Sequence, residues 1–470
     1  MTRPLPLPLP LPETVSVPPA GGPAGDATAG TPGTADAGPA ARVPTGRRDG
    51  WSALPGSAPS PGRSGSTSGP AAGVAPPPVD RLRTVAGSVL WPLAVLALAQ
   101  VALRSALGPA RDLDILWRGA RRLLAGDALY DPDLAFIYPP LGGWVLAPLG
   151  AMPFRVACVV LTVVSLASLV AAVVLLLRLV GVPARSPLTA GALGLLAVSR
   201  PVDGLLGQGN IDVLLLLAEA LVIVWLVRRR DVAAGVLLGV VCAVKPTLAP
   251  LLLGALMLGR VRTTVVAAGT AAALTVAGFL LVPDGTTFLT DVLPMLADGN
   301  RPVLQQYDKS LRGAAAQLGL PAAVGLVLRA VALALAVWVA WRRRHGRLAP
   351  LEVMPVLLLG GMLASSFSWA NYSLYLVPLL VAVVVPGGLV RTWPAWAGVF
   401  AFWTADEWPR LPQGETVEAV VGLRPLWGWS LLLGTCAWVA LRSGSRLGEH
   451  DTPSDQPAPP AVRTQEPSAP

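Results

Sequence analysis

The chain has 470 residues, 53% of them hydrophobic and 13% charged, with a mean hydropathy of +0.60 and a net charge of +9. Its apolar residues recur in runs near the roughly 20-residue length of a bilayer-crossing helix, which predicts a polytopic membrane protein. The positive charge does not point to nucleic acid, because the arginines sit at the ends of apolar runs, where membrane topology accounts for them.

From Met1 to about Pro78 the chain is rich in Pro, Ala, Gly, Ser and Thr and opens on a Pro-Leu repeat. Such a segment cannot bury enough apolar surface to offset its ordering entropy, so residues 1–80 are expected to form a disordered tail. The alternating prolines also argue against a signal peptide. Residues 445–470 are again polar and Pro-rich and predict a second disordered tail.

Between the tails, residues 81–444 read as one all-α membrane domain. Apolar spans are expected near 88–107, 156–178, 187–203, 210–227, 263–282, 321–341, 351–366, 372–386, 393–405 and 425–442. Residues 232–244 and 247–259 make a shorter pair broken at Lys245-Pro246. The total predicts about 10–12 spans. Cys158, Cys242 and Cys436 each lie in an apolar run, and His345 and His450 are far apart, so neither a disulfide framework nor a zinc site is expected.

Charge orients these spans. Arg81, Arg83, Arg178, Arg185, Arg228 to Arg230, Arg260, Arg262, Arg342 to Arg344, Arg391 and Arg442 share one side if the spans alternate, and that side is expected to be cytoplasmic. The other side receives Asp112, Asp114, Asp127, Asp131 and Asp133, then Asp284, Asp291, Asp298 and Asp308, then Asp406, Glu407, Glu415 and Glu418.

The first outer loop carries the strongest signal. Leu113, Leu116, Ala120, Leu123 and Leu124 repeat at helical spacing among Arg111, Arg118, Arg121 and Arg122, predicting an amphipathic helix with its leucines in lipid. Its bland reading is a solvated interfacial helix. Residues 135–154 look too broken by Pro and Gly for a regular helix and too apolar for a free loop, as in backbone that lines a cavity. The stretch VDGLLGQGNID places Gln208, Asn210 and Asp212 at another outer span end. Lys245 is ionisable inside the membrane, hence a functional candidate by default, against the alternative of a snorkelling lysine.

Five stretches in order, DLDILWRGARRLLAGDALY, IYPPLGGWVLAPLGAMPF, GQGNIDVLLLLAEAL, VKPTLAPLLLG and YDKSLRG, together resemble glycosyltransferase family 87. Its members are integral-membrane enzymes of the C-type glycosyltransferase fold that use polyprenyl-phosphate sugars. The resemblance spans about residues 85–442. The late stretch WANYSLYLVPLL and RTWPAWAGVF look most like the arabinofuranosyl-transferring members.

That resemblance implies an inverting transferase with Asp112 as catalytic base and Asp114 in reserve. In the arabinofuranosyl members two aspartates are adjacent, whereas here Leu113 separates them. It further implies Lys245, Lys309 and Arg312 as donor-phosphate cations, the last two being otherwise ordinary loop charges. Tyr138, Gln208, Asn210, Trp369 and Asn371 are the candidate substrate-binding residues. No metal site and no cofactor beyond the lipid-linked sugar co-substrate are expected, because Asp112-Leu113-Asp114 lacks a preceding parallel strand.

The implied partners are a polyprenyl-phosphate sugar, a cell-wall polysaccharide or glycolipid acceptor, and membrane lipids. The implied location is the plasma membrane, with an extracytoplasmic active site. Asn371 and Tyr372 stand where many mannosyl members carry histidines, which favours arabinofuranose over mannose. A lipid-sugar transporter or non-enzymatic scaffold remains the alternative class, although no internal repeat and no midplane cluster of ionisable residues supports it.

Overall fold

The computed structural model describes residues 78–130, 135–298, 307–404 and 421–443. Residues 1–77 of the first expected tail and the whole of the second lie outside them, as do Asp131, Asp133, Asp406, Glu407, Glu415, Glu418 and the side chain of Asp298, while residues 78–80 begin the first helix. Among the described residues the fold is all-α, without a strand. The three cysteines are free and buried.

Among the described residues four helices are long and apolar enough to cross a membrane. They are α1 (Pro78–Leu107), α4 (Phe154–Leu179), α10 (Val261–Leu281) and α11 (Ala322–Arg343). At 1.5 Å per residue the 21 residues of α10 extend about 31 Å, close to the thickness of a hydrocarbon core. The other apolar stretches form shorter helices, and these carry the candidate site.

Helix α2 (Arg111–Ala125) forms where the apolar periodicity predicts it. It closes on Gly126, whose left-handed backbone (φ 81°) lets its N–H return to Arg122 O and Leu123 O. Its leucines do not face lipid, however. Leu113, Leu116 and Leu123 are buried in the protein core, and only Leu124, 48% exposed, lies open. The covering element is α3 (Pro140–Gly150), a regular helix in the stretch expected to be broken. Pro140 and Pro139 fall at its first turn, where a missing N–H costs nothing. Gly143 brings it onto Leu123 and Leu129, and Gly150 onto the backbone of Ala120 and Arg121. At about 16 Å this helix cannot span a bilayer by itself.

Two expected spans are also resolved differently. Residues 187–203 divide into α5 (Pro187–Ala197) and α6 (Arg200–Gln208), because the Ser199 hydroxyl caps a new helix by accepting from Val202 N (3.4 Å) just before Pro201. Residues 370–384 form 3-10 turns around a five-residue helix, Val377–Val381, rather than a continuous span, with Pro378 in its first turn.

The Lys245-Pro246 break is the tip of a helical hairpin. Helix α8 (Asp231–Val244) rises to it, and a 3-10 turn (Pro246–Leu248) and α9 (Pro250–Met257) return. The two feet meet, since Arg260 donates to Leu226 O (3.1 Å) and its guanidinium lies 3.9 Å from Asp231 Oδ1. Arginines thus gather at the end of the bundle opposite the hairpin tip. Arg343 at the end of α11 likewise binds Glu352 (2.8 Å) and Gly387 O (2.9 Å).

Candidate functional site

The hairpin tip delivers Lys245 to the start of α7 (Asp212–Val227), where it forms a buried salt bridge with Asp212. Lys245 is 7% exposed and Asp212 0% exposed. Removing one partner of such a pair leaves an uncompensated buried charge, typically at a cost of about 3–5 kcal/mol. The ammonium also lies 4.7 Å from the Tyr372 ring centroid and 5.7 Å from that of Tyr138, so two aromatic faces complete its surroundings. Among the described residues the second carboxylate oxygen of Asp212 and the buried Tyr375 hydroxyl make no hydrogen bond of standard geometry, although the two groups lie close enough to interact with each other.

Asp112 joins this cluster through Asn210. Its Oδ2 accepts from the Asn210 amide Nδ2 at 2.8 Å, while Asn210 Oδ1 accepts from Asp212 N at 3.0 Å. Burial pushes the Asp112 carboxyl above its ordinary range, opposed by the Asn210 hydrogen bond; nearby Asp212 adds to the rise and Lys245 offsets it. Asp112, Asn210, Asp212, Lys245, Tyr138 and Tyr372 therefore converge from five separate segments.

Asp114 faces elsewhere. It pairs with Arg118 one helical turn along at 2.7 Å, a partly exposed contact of the kind worth about 0.3–0.5 kcal/mol. Two positions apart on one helix, the two side chains point about 200° apart and so lie on different faces.

Lys309 and Arg312 belong to a neighbouring junction. Lys309 N donates to Ser368 O (2.8 Å), and Arg312 to Ala297 O (2.5 Å). Asp308 organises it, accepting from Ser310 N (2.8 Å), Ser310 Oγ (3.0 Å) and Ser368 N (3.0 Å). Trp369 follows, stacked on Tyr307 with centroids 5.6 Å apart. Asn371 packs on Gly204 of α6, where a Cβ would stand 2.8 Å from its Oδ1. Gln208 is the last residue of α6, half-buried beside Gly209. Residues 365–376 thus link the Asp308 junction to the Lys245 cluster.

A cavity of about 190 Å³ opens between them, lined in part by Pro246, Thr247, Ser365, Ser368, Tyr372 and Tyr375. It is smaller than the roughly 300–1,000 Å³ typical of pockets that enclose a drug-sized ligand, so it has no room for a long lipid.

Asp212 was legible only as a polar residue at a span end, and no local pattern marks it as the counterion of Lys245, 33 positions away. Asp284 was likewise read only as a loop charge, yet its carboxylate accepts from Leu129 N (2.9 Å) and Tyr130 N (2.8 Å) and fastens the loop after α2 to the end of α10.

The fold and this cluster define an all-α membrane protein in which a carboxylate on a short amphipathic helix shares a site with a buried cation. The model of glycosyltransferase family 87 matches residues 136–368. An α-(1→3)-arabinofuranosyltransferase of Mycobacterium tuberculosis is 31% identical over 368 residues, covering 74% of this chain and 84% of the relative. That of Corynebacterium glutamicum is 25% identical over 367 residues, covering 75% and 87%. A polyprenol-phosphate-mannose-dependent α-(1-2)-phosphatidylinositol pentamannoside mannosyltransferase of M. tuberculosis is 31% identical over 307 residues, covering 60% and 69%. No solved structure matches. The chain belongs to glycosyltransferase family 87 and is a membrane glycosyltransferase.

Proposed function

We propose that this glycosyltransferase moves arabinofuranose, with inversion, from a polyprenyl-phosphate donor to a cell-wall glycan on the extracytoplasmic face of the plasma membrane. The observation that carries the reading is the contact chain from Asp112 through Asn210 and Asp212 to Lys245, which joins a proton acceptor to a cation. Asp112 takes the acceptor's hydroxyl proton as that oxygen bonds to the anomeric carbon. The bond from that carbon to the phosphate oxygen breaks on the opposite face, and the lipid phosphate leaves with its electron pair.

Lys245, held by Asp212 before the donor arrives, offsets the charge growing on the phosphate, with Lys309 and Arg312 as the cations of the adjoining junction. The small cavity beside Tyr372 suits the sugar end of the donor, while the polyprenyl chain stays in the bilayer. Tyr138, Gln208, Asn210, Trp369 and Asn371 are the substrate-binding residues of this reading, and they lie outside the cavity's own lining.

Arabinofuranose is favoured by Asn371 and Tyr372 in the late segment, whereas alignment length separates the donors little, 368 residues at 31% identity for the arabinofuranosyl relative against 390 at 29% for a mannosyl one. Mannose is the second reading, supported by the 31% identity to a polyprenol-phosphate-mannose-dependent relative. The test gives purified protein in nanodiscs polyprenyl-phosphoarabinose and polyprenyl-phosphomannose side by side. Transfer from the arabinose donor alone is expected. Transfer from mannose alone would reverse the donor assignment, and transfer from neither would return the protein to the transporter or scaffold class.

A further inference from the structure

Asn210 occupies the turn between α6 and α7, where the chain reverses through Gly209 at φ 70°. A Cβ at Gly209 would stand 2.7 Å from that of Leu113 and 3.3 Å from that of Ala110, so this turn is docked on the first turn of α2. The Asn210 amide is held at both ends. Its Oδ1 accepts from Asp212 N (3.0 Å) and its Nδ2 donates to Asp112 Oδ2 (2.8 Å). A backbone N–H can only donate, so turning the amide over would break the first contact and aim an oxygen at a carboxylate. Among the described residues no hydrogen bond reaches Asp112 Oδ1.

We propose that Asn210 is the positioning residue of the base, occupying Asp112 Oδ2 so that Oδ1 receives the acceptor's proton. This rests on the reading of Asp112 as the base, and it changes the role expected of Asn210 from substrate binding to orientation of a carboxylate.

The inference has a pH signature. The charged groups that act on Asp112 from packed elements are Asp212, which raises its pKa, and Lys245, which lowers it; the titratable Tyr138 and Tyr372 hydroxyls also face it. Helix α3 carries no charged residue. Arg155 at the start of α4 donates to Gly108 O, and Asp203 of α6 pairs with Arg104. On its own helix the neighbours are Arg111 and Asp114, the latter paired with Arg118. A hydrogen bond to the ionised carboxylate favours that form, so losing it moves the acid limb of transfer to higher pH. Below the limb the base is protonated and transfer is lost; above it transfer recovers.

The experiment measures kcat and KM for transfer against pH in nanodiscs for wild type, Asn210→Ala and Asn210→Asp. Binding of polyprenyl phosphate is measured separately. Asn210→Ala is expected to move the acid limb up by about one pH unit, lower transfer about tenfold on the acid side, and leave polyprenyl phosphate binding unchanged. Asn210→Asp keeps the shape and the contact with Asp212 N but sets two carboxylates in hydrogen-bond contact, which share a proton, so the limb should move further.

An unmoved limb in both variants would overturn the proposal, as would an increase in acceptor KM with the limb in place. Should Asn210→Ala fail to insert, Asn210→Asp decides alone. An infrared titration of the Asp112 carboxyl, with Asp112→Asn as blank, reads the same shift without turnover. It separates a failure of this inference from a failure of the enzyme reading, which would show as a wild type that transfers nothing.

Discussion

Two aspartates stand two positions apart at the start of α2, and their surroundings divide their roles. Asp112 is turned into the protein against Asn210, while Asp114 is spent on Arg118. Asp112→Asn keeps the size of the side chain but removes the proton acceptor, so transfer should fall about 10²–10⁴-fold with insertion unchanged. Asp114→Asn removes only a partly exposed pair and should stay within about twofold of wild type. Initial-rate assays of both variants test the division, and near-normal transfer by Asp112→Asn would refute it. The candidacy of Asp112 could be read from its place at the edge of an apolar span. Its partner could not, because Asn210 is 98 residues away and only the docking of one turn on another brings them together.

At the scale of elements, the site depends on short helices packed closely rather than on the long spans. Helix α3 lies on α2 because Gly150 carries no side chain, and a Cβ there would come within 2.8 to 2.9 Å of Ala120 and of Arg121 N. Most of that obstacle is backbone, which cannot rotate aside as a flexible side chain would. Gly150→Ala should therefore cost about 1–3 kcal/mol and displace α2 together with Asp112. A thermal melt of the detergent-solubilised protein reads the loss of stability, and transfer should fall with it. An unchanged melting temperature and rate would show that the α2–α3 contact is not what holds the base. The periodicity of α2 was plain in the sequence, but the destination of its leucines was not. Lipid and a neighbouring helix satisfy an apolar stripe equally well.

Across the whole molecule, the arginine-rich turns and the Asp112 cluster lie at opposite ends of α7 and α8, with the Lys245 hairpin running between them. The charge rule then predicts that the loops around Asp112, Gly209 and Lys309 face outward and that both tails are cytoplasmic. Single cysteines introduced on exposed positions of those loops, in a background lacking the three native ones, should react with an impermeant maleimide in intact cells. Cysteines in the tails should react only after permeabilisation, and the reverse pattern would invert the topology.

Composition and hydropathy alone determined that this chain is a helical membrane protein, because backbone polar groups in hydrocarbon must be paired and an unbroken apolar run of about 20 residues pairs its own as a helix. Local pattern also determined α2, the break at Lys245-Pro246 and the presence of an ionisable residue there. Tertiary structure decided that this break is the tip of a returning hairpin, that residues 140–150 are helical, and that Asp212 is the counterion of Lys245. The reason is the same in each case. Hydrophobic periodicity records which residues avoid water, whereas a buried charge is matched by geometry, and its partner can come from any part of the chain that the packing brings within hydrogen-bond reach.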